Sequence, residues 1–239
     1  MRHNSRTRRA ALGMAWVLAA FALIAAGCRA PAAPPAPPAV LSTTTAWQLS
    51  GAARDAYNTS SANYNGAANV RLGQETTDVV AGFQFAGVTL PNAAHIYSAT
   101  LNLNISATNG NGWEWTVKGG AYDSCTNFFS DWPISKTVGA QSISWSPSAS
   151  TGWKASPNIA SILQDIVNRA GWTSGNNICI LVYDNQATAN VWQDAASYES
   201  ASANAAILAV EYDQQTPTPT ITPTPTLTPT PSQTPTPSP

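Results

Sequence analysis

The chain has 239 residues, with 11 Lys and Arg against 12 Asp and Glu for a net charge of −1, and charged side chains make up only 10% of it. Cations this sparse and unclustered give a phosphate backbone little to bind, which argues against nucleic acid as a partner. One domain is the natural reading, because both ends have compositions that build no core.

The first 28 residues read as an export signal. RHNSRTRR is basic, ALGMAWVLAAFALIAAG is apolar, and a small residue precedes Cys28. The segment Leu23 to Cys28 resembles a bacterial lipobox, with Ala25 where leucine is usual. That resemblance implies acylation of Cys28 and a membrane partner through a lipid anchor; ordinary secretion and an uncleaved anchor remain open. Beyond the signal the balance is seven basic against twelve acidic residues, a net of −5. Residues 29–41, which contain PAAPPAPP, predict an extended polyproline spacer, since proline lacks a donor and fixes φ. Residues 214–239 are a Thr-Pro repeat with neither charge nor a hydrophobic set, and are expected to stay solvated.

Between the ends, residues 42–213 alternate with period two. In VVAGFQF, Phe83 and Phe85 fall on one face. HIYSATLNLNIS places Tyr97, Ala99, Leu101, Leu103 and Ile105 inward and Ser98, Thr100, Asn102 and Asn104 outward. NGNGWEW then puts Trp113 and Trp115 on the face of Val117. Trp115 is expected in the core, whereas Trp113, beside a Gly-Asn turn, stays open between a rim position and a sugar-stacking platform. SISW contributes Ile143 and Trp145 to the interior.

One segment has helical spacing instead. Ile159, Ile162, Leu163, Ile166, Val167 and Ala170, with Ser156 as cap, Pro157 in the first turn and Gly171 as stop, predict an amphipathic helix over about 157–170. NICILVY, apolar on both faces, reads as a central strand, and AILAVEY as the last one. Cys125 and Cys179 are the remaining cysteines, and in an oxidising compartment they are expected to pair.

Trp192 lies in ATANVWQDAAS, flanked by Asn190, Gln193 and Asp194 and following Asp184-Asn185-Gln186. An aromatic face with amides and a carboxylate nearby suits a sugar, through stacking plus directional hydrogen bonds. The candidate ligand-binding set is therefore Trp113, Trp192, Asp184, Asn185 and Gln193. A structural calcium ion is a further expectation, with Asp55 and Asp213 converging if the first and last strands pair, and Glu75 or Asp78 joining them. Zinc is not expected, as His95 is the only histidine past the signal. His95 and the carboxylates Glu114, Asp123, Asp131, Asp184, Asp194 and Glu199 carry no catalytic signature in the sequence.

The order of short pieces resembles a known family. Asp55-Ala56-Tyr57, Val70-Arg71-Leu72, Gly82 to Phe85, Leu90-Pro91, Ile96 to Ile105, Ser142 to Trp145, Gly171 to Asn176, Tyr198-Glu199-Ser200 and Ile207 to Tyr212 follow one another as in DNRLRE-type modules of bacterial surface and secreted proteins. These modules are similar to jelly-roll carbohydrate-binding modules, and the resemblance spans about residues 47–212. It implies an all-β, jelly-roll-like antiparallel sandwich with one helix, displayed at the cell surface or outside the cell. The implied role is non-catalytic recognition, here of polysaccharide or envelope glycan. Asn190-Val191-Trp192 stands near the point where such modules often carry an arginine. The alternatives are a structural or adhesive lipoprotein without a sugar site, and a glycan-active enzyme.

Overall fold

The computed structural model describes residues 41–74, 79–185 and 190–213. The expected export signal, the lipidation site Cys28, the two Pro-rich segments, Glu75, Asp78 and Gln186 therefore lie outside the described residues. What is described is an antiparallel β-sandwich with one α-helix.

In chain order the strands are β1 (Ser42–Gln48), β2 (Asp55–Asn58), β3 (Asn63–Tyr64), β4 (Asn69–Gln74), β5 (Val80–Phe85), β6 (Ile96–Asn109), β7 (Trp115–Gly120), β8 (Val138–Trp145) and β9 (Gly152–Ala155). Helix α1 (Ala160–Val167) precedes β10 (Ile178–Asp184), β11 (Val191–Ala196) and β12 (Ile207–Asp213). One sheet runs β3-β2-β5-β10-β7-β8, so NICILVY is indeed interior to it. The second sheet is built around the long β6. Asn102 pairs with both Ile207 and Ala155, and Ile105 pairs with both Ala195 and Gly152. A residue with two partners has one on each side, so β9 flanks one edge of β6 while β11 and β12 follow each other along the opposite edge. Beyond them β4 pairs with β11 and β1 with β12.

The apolar alternation places the core. Phe83, Phe85, Leu101, Leu103, Ile105, Trp115 and Trp172 are all fully buried between the sheets. Trp115 and Trp145 face each other across the β7/β8 pair and meet edge to face, ring centroids 5.2 Å apart at 84°. Tyr97 departs from the expected inward set and is 42% exposed. Ile96 pairs with Tyr212 and Ser98 with Glu211, which leaves Tyr97 as the extra residue of a bulge, and a bulge breaks the period-two parity.

The helix is shorter than its apolar spacing suggests. The main chain from Ser156 to Ile159 continues β9 along β6 instead of turning, donating Ser156 N–H to Leu101 O and Ile159 N–H to Ala99 O. Ser156 therefore does not cap α1; its hydroxyl accepts the Leu101 N–H, while Asn158 Oδ1 accepts the N–H groups of Ala99 and Ala160. Bonds otherwise lost from the edge of β6 outweigh an extra helical turn. Ile162, Leu163, Ile166 and Val167 then close the open side of the sandwich. They pack so closely on β7 that a methyl group at Gly119 would stand 2.6 Å from Ile162 Cγ2.

The two outer faces differ. The first sheet is covered by the chain from about 121 to 137, pinned by the expected disulfide between Cys125 and Cys179, whose Cα atoms are 5.8 Å apart. Beneath it Ala56, Cys125, Phe128, Cys179 and Leu181 form a second small core. Gly82 is needed there, since a Cβ would come within 2.6 Å of the Phe128 ring. Lys136, buried in this cover, donates to Thr126 and Asp131. Burial raises the Asp131 carboxyl, but hydrogen bonds from Lys136, Ser135 and Thr126 and the Lys136 charge outweigh it and hold it below the usual range. On the second sheet the outward side chains of β6, from Ser98 to Asn104, are only half-buried, and Ser98 and Asn102 hydrogen-bond within the sheet.

Candidate functional site: the outer face of the β6 sheet

Strand parity decides which residues share this face. On β6, Leu101, Leu103 and Ile105 are core, so Asn102 and Asn104 point outward. Their partners point outward with them: Ile207 and Ala155 opposite Asn102, and Trp153 opposite Asn104. On β11, Val191 and Ala195 are core, so Trp192 and Asp194 face out, opposite Asn109 and Ala107 of β6 and Gly73 and Arg71 of β4. Trp153 is 47% exposed and Trp192 is half-buried.

Trp192 is held from one side. The Arg71 guanidinium carbon lies 3.9 Å from its ring centroid, and Arg71 is in turn clamped by Asp194 through Nε to Oδ1 at 2.5 Å and Nη2 to Oδ2 at 3.2 Å. Ser106, skipped where the β6/β11 register shifts, donates its hydroxyl to the Asp194 carbonyl and to Asn69 Oδ1. Two indoles thus stand on a sheet surface of amides, hydroxyls and one internally neutralised ion pair. They sit on opposite flanks of β6, roughly 16–19 Å apart, given about 4.8 Å per strand and about 3.3 Å per residue. An arginine does reach Trp192, but it comes from the Val70-Arg71-Leu72 strand and not from the segment just before the final Ser/Glu motif.

Of the other residues expected to bind ligand, none joins this face. Trp113 is 2% exposed and is a core residue. Gly110 and Gly112, both left-handed at φ 75° and 74°, turn the chain back so that Trp113 Nε1 donates to Asn109 O within the end of the sandwich. Gln193 points inward because neighbours on a strand alternate, and its Nε2 donates to Ser148 O from a fully buried position. Asp194 stands where Gln193 was expected. Asp184 has the inward parity of Val182 and pairs in register with Trp115, and Asn185 donates its N–H to Glu114 O, so both belong to the rim of the first sheet.

The calcium expectation also fails in its geometry. The first and last strands do pair, Ser42 with Asp213, but Asp55 is on β2 of the other sheet. Asp213 is the last residue of β12 and accepts the His95 N–H, whereas Asp55 accepts the N–H of Tyr198, ahead of the start of β12. The seven residues of β12, about 20 Å, stand between them. No cluster of three or more His, Cys, Asp or Glu occurs among the described residues.

Asp55 has a different neighbour that its sequence position hides. It is 2% exposed, and burial first, then the charge and hydrogen bonding of Glu199, push its carboxyl up to about 7 against the Tyr198 amide that lowers it. Glu199 Oε1 also accepts the Ala53 N–H at 3.3 Å. The Asp-Ala-Tyr and Tyr-Glu-Ser motifs are thus one contact, joining the two sheets through a carboxyl pair. Three other carboxylates, Asp123, Asp131 and Asp194, are paired to Arg169, Lys136 and Arg71. His95 is exposed and meets Tyr97 edge to face.

Trp153 was the residue missed by sequence reasoning. Its strand, GWKA, is four residues long, too short for alternation to show. Its only signal was a tryptophan between a glycine and a lysine. No protein-family model and no curated protein matches the chain.

Proposed function

We propose that this protein is a non-catalytic, exported module that binds polysaccharide on the outer face of the β6 sheet and is held at the membrane through a lipid on Cys28. The observation that carries this reading is the contrast between the faces: one is sealed by a disulfide-pinned cover, the other, among the described residues, is uncovered and presents Trp153 and Trp192 among Asn and Ser side chains. Indole faces stack on the C–H side of pyranose rings, and amides and hydroxyls supply both donors and acceptors for sugar hydroxyls. The likeness to DNRLRE-type modules supports the same role. The test is affinity electrophoresis of the exported chain through gels cast with different polysaccharides. At least one glycan is expected to retard it, with retardation lost in Trp153→Ala and reduced in Trp192→Ala. Folded protein that no glycan retards contradicts the proposal.

A second reading, a display unit that holds a protein partner, is favoured by one feature. Phe129, Ile134 and Tyr64 are exposed at 74%, 49% and 41% around the β3 edge, where Asn63 and Asn65 bond the carbonyls of Phe128 and Phe129. Folded protein that no glycan retards would favour it.

A further inference from the structure

We infer that the β6 face takes an uncharged, extended polysaccharide and discriminates against acidic ones; this rests on the glycan-binding reading above. Among the described residues, Arg71 is the one cation that strand parity places on the face; Lys154, beside Trp153, has the opposite parity and donates to the Ser148 and Ser150 hydroxyls. Its guanidinium is committed twice, clamped by both oxygens of Asp194 and laid over Trp192. A uronate or sulfate arriving there meets no cation that is not already neutralised, and displacing Asp194 would bury that carboxylate unpaired. Farther along the face the balance turns negative. Glu211 pairs in register with Ser98, whose hydroxyl donates to it, and Asp213 closes the same strand. A polyanion lying along the sheet is therefore repelled over part of its length, and the seven-to-twelve charge balance of the exported chain adds to this at long range. The groups near the indoles, by contrast, suit neutral hydroxyls: Asn104 and Asn109 are directly opposite Trp153 and Trp192, and each amide both donates and accepts.

The spacing of the two rings sets the form of the ligand. At roughly 16–19 Å across the strands, one or two sugar rings cannot touch both indoles. A chain of several units crossing β6 obliquely can. Affinity is expected to rise steeply once an oligosaccharide is long enough to reach the second ring, since the second contact is then intramolecular.

The test is calorimetric titration of the exported chain, with Trp153→Ala beside it, against a neutral β-glucan or xylan and against polygalacturonate, each at low and high sodium chloride. The result expected is binding of a neutral polymer with less than about a twofold change between the two salts. Trp153→Ala should weaken it by about tenfold, and short oligosaccharides of the same polymer should bind far more weakly than long ones. Tighter binding of polygalacturonate, falling steeply with salt, overturns the inference while leaving glycan binding intact. No binding of any polymer by folded protein overturns both. Trp153 is 47% exposed, so the variant is expected to fold; its thermal unfolding is measured alongside as a check.

Discussion

Among the eight tryptophans past residue 28, Trp113, Trp115, Trp145 and Trp172 are core residues, whereas Trp153 stands half in solvent. Trp113 was legible as an aromatic at a turn, but not as a buried one, because two left-handed glycines reverse the chain and alternation says nothing across a turn. Trp113→Ala is accordingly expected to cost about 3–5 kcal/mol of stability, read as a lower urea midpoint, whereas Trp153→Ala leaves that midpoint within about 0.5 kcal/mol. Equal midpoints for the two variants would contradict the assignment. Asp55 makes a second prediction. Its carboxyl is pushed up to about 7 in the folded protein, from 3.8 when free. Between those values the unfolded chain loses a proton that the folded one keeps, so stability falls as pH rises from about 4 to about 7 and levels off above. Asp55→Asn imitates the protonated acid, with Oδ1 accepting the Tyr198 N–H and Nδ2 facing Glu199. It should match the wild type near pH 4 and exceed it at pH 8. Parallel stability curves for the two proteins would show that Asp55 does not carry this proton.

At the scale of elements, long alternating runs declared themselves and short ones did not. Leu101, Leu103 and Ile105 fixed the parity of β6, and with it the outward row Asn102 and Asn104, from sequence alone. β9 escaped because it has four residues, and Tyr97 was misplaced because a bulge has no compositional mark when its residue is neither Gly nor Pro. Helix α1 was foreseen by its spacing and overextended, since the demand of the β6 edge for partners at 156–159 is a tertiary effect. Its packing on β7 gives a further prediction: Gly119→Ala drives a methyl into Ile162 and should lower the melting temperature by several degrees, an overpacking effect of about 1–3 kcal/mol. An unchanged melting temperature would mean that the helix yields there.

For the whole molecule, the difference between the two outer faces is what the sequence could not convey. As the two remaining cysteines, Cys125 and Cys179 suggested a bond but not what it covers. That bond ties the chain from about 121 to 137 over the first sheet, so reduction, or Cys125→Ser with Cys179→Ser, should cost about 2–4 kcal/mol through the 54-residue separation it closes. Glycan affinity should be retained in the folded fraction, because the β6 face lies on the other side of the sandwich. Loss of affinity in step with reduction would place the binding surface on the covered sheet instead. The most direct measurement is tryptophan oxidation by N-bromosuccinimide, mapped residue by residue by mass spectrometry, with and without a saturating polysaccharide that retards the protein. Trp153 should react first and be protected by the glycan, Trp192 should be protected with it, and Trp113, Trp115 and Trp172 should stay unreactive throughout. Oxidation of Trp153 at the same rate in both conditions would contradict the assignment of the β6 face.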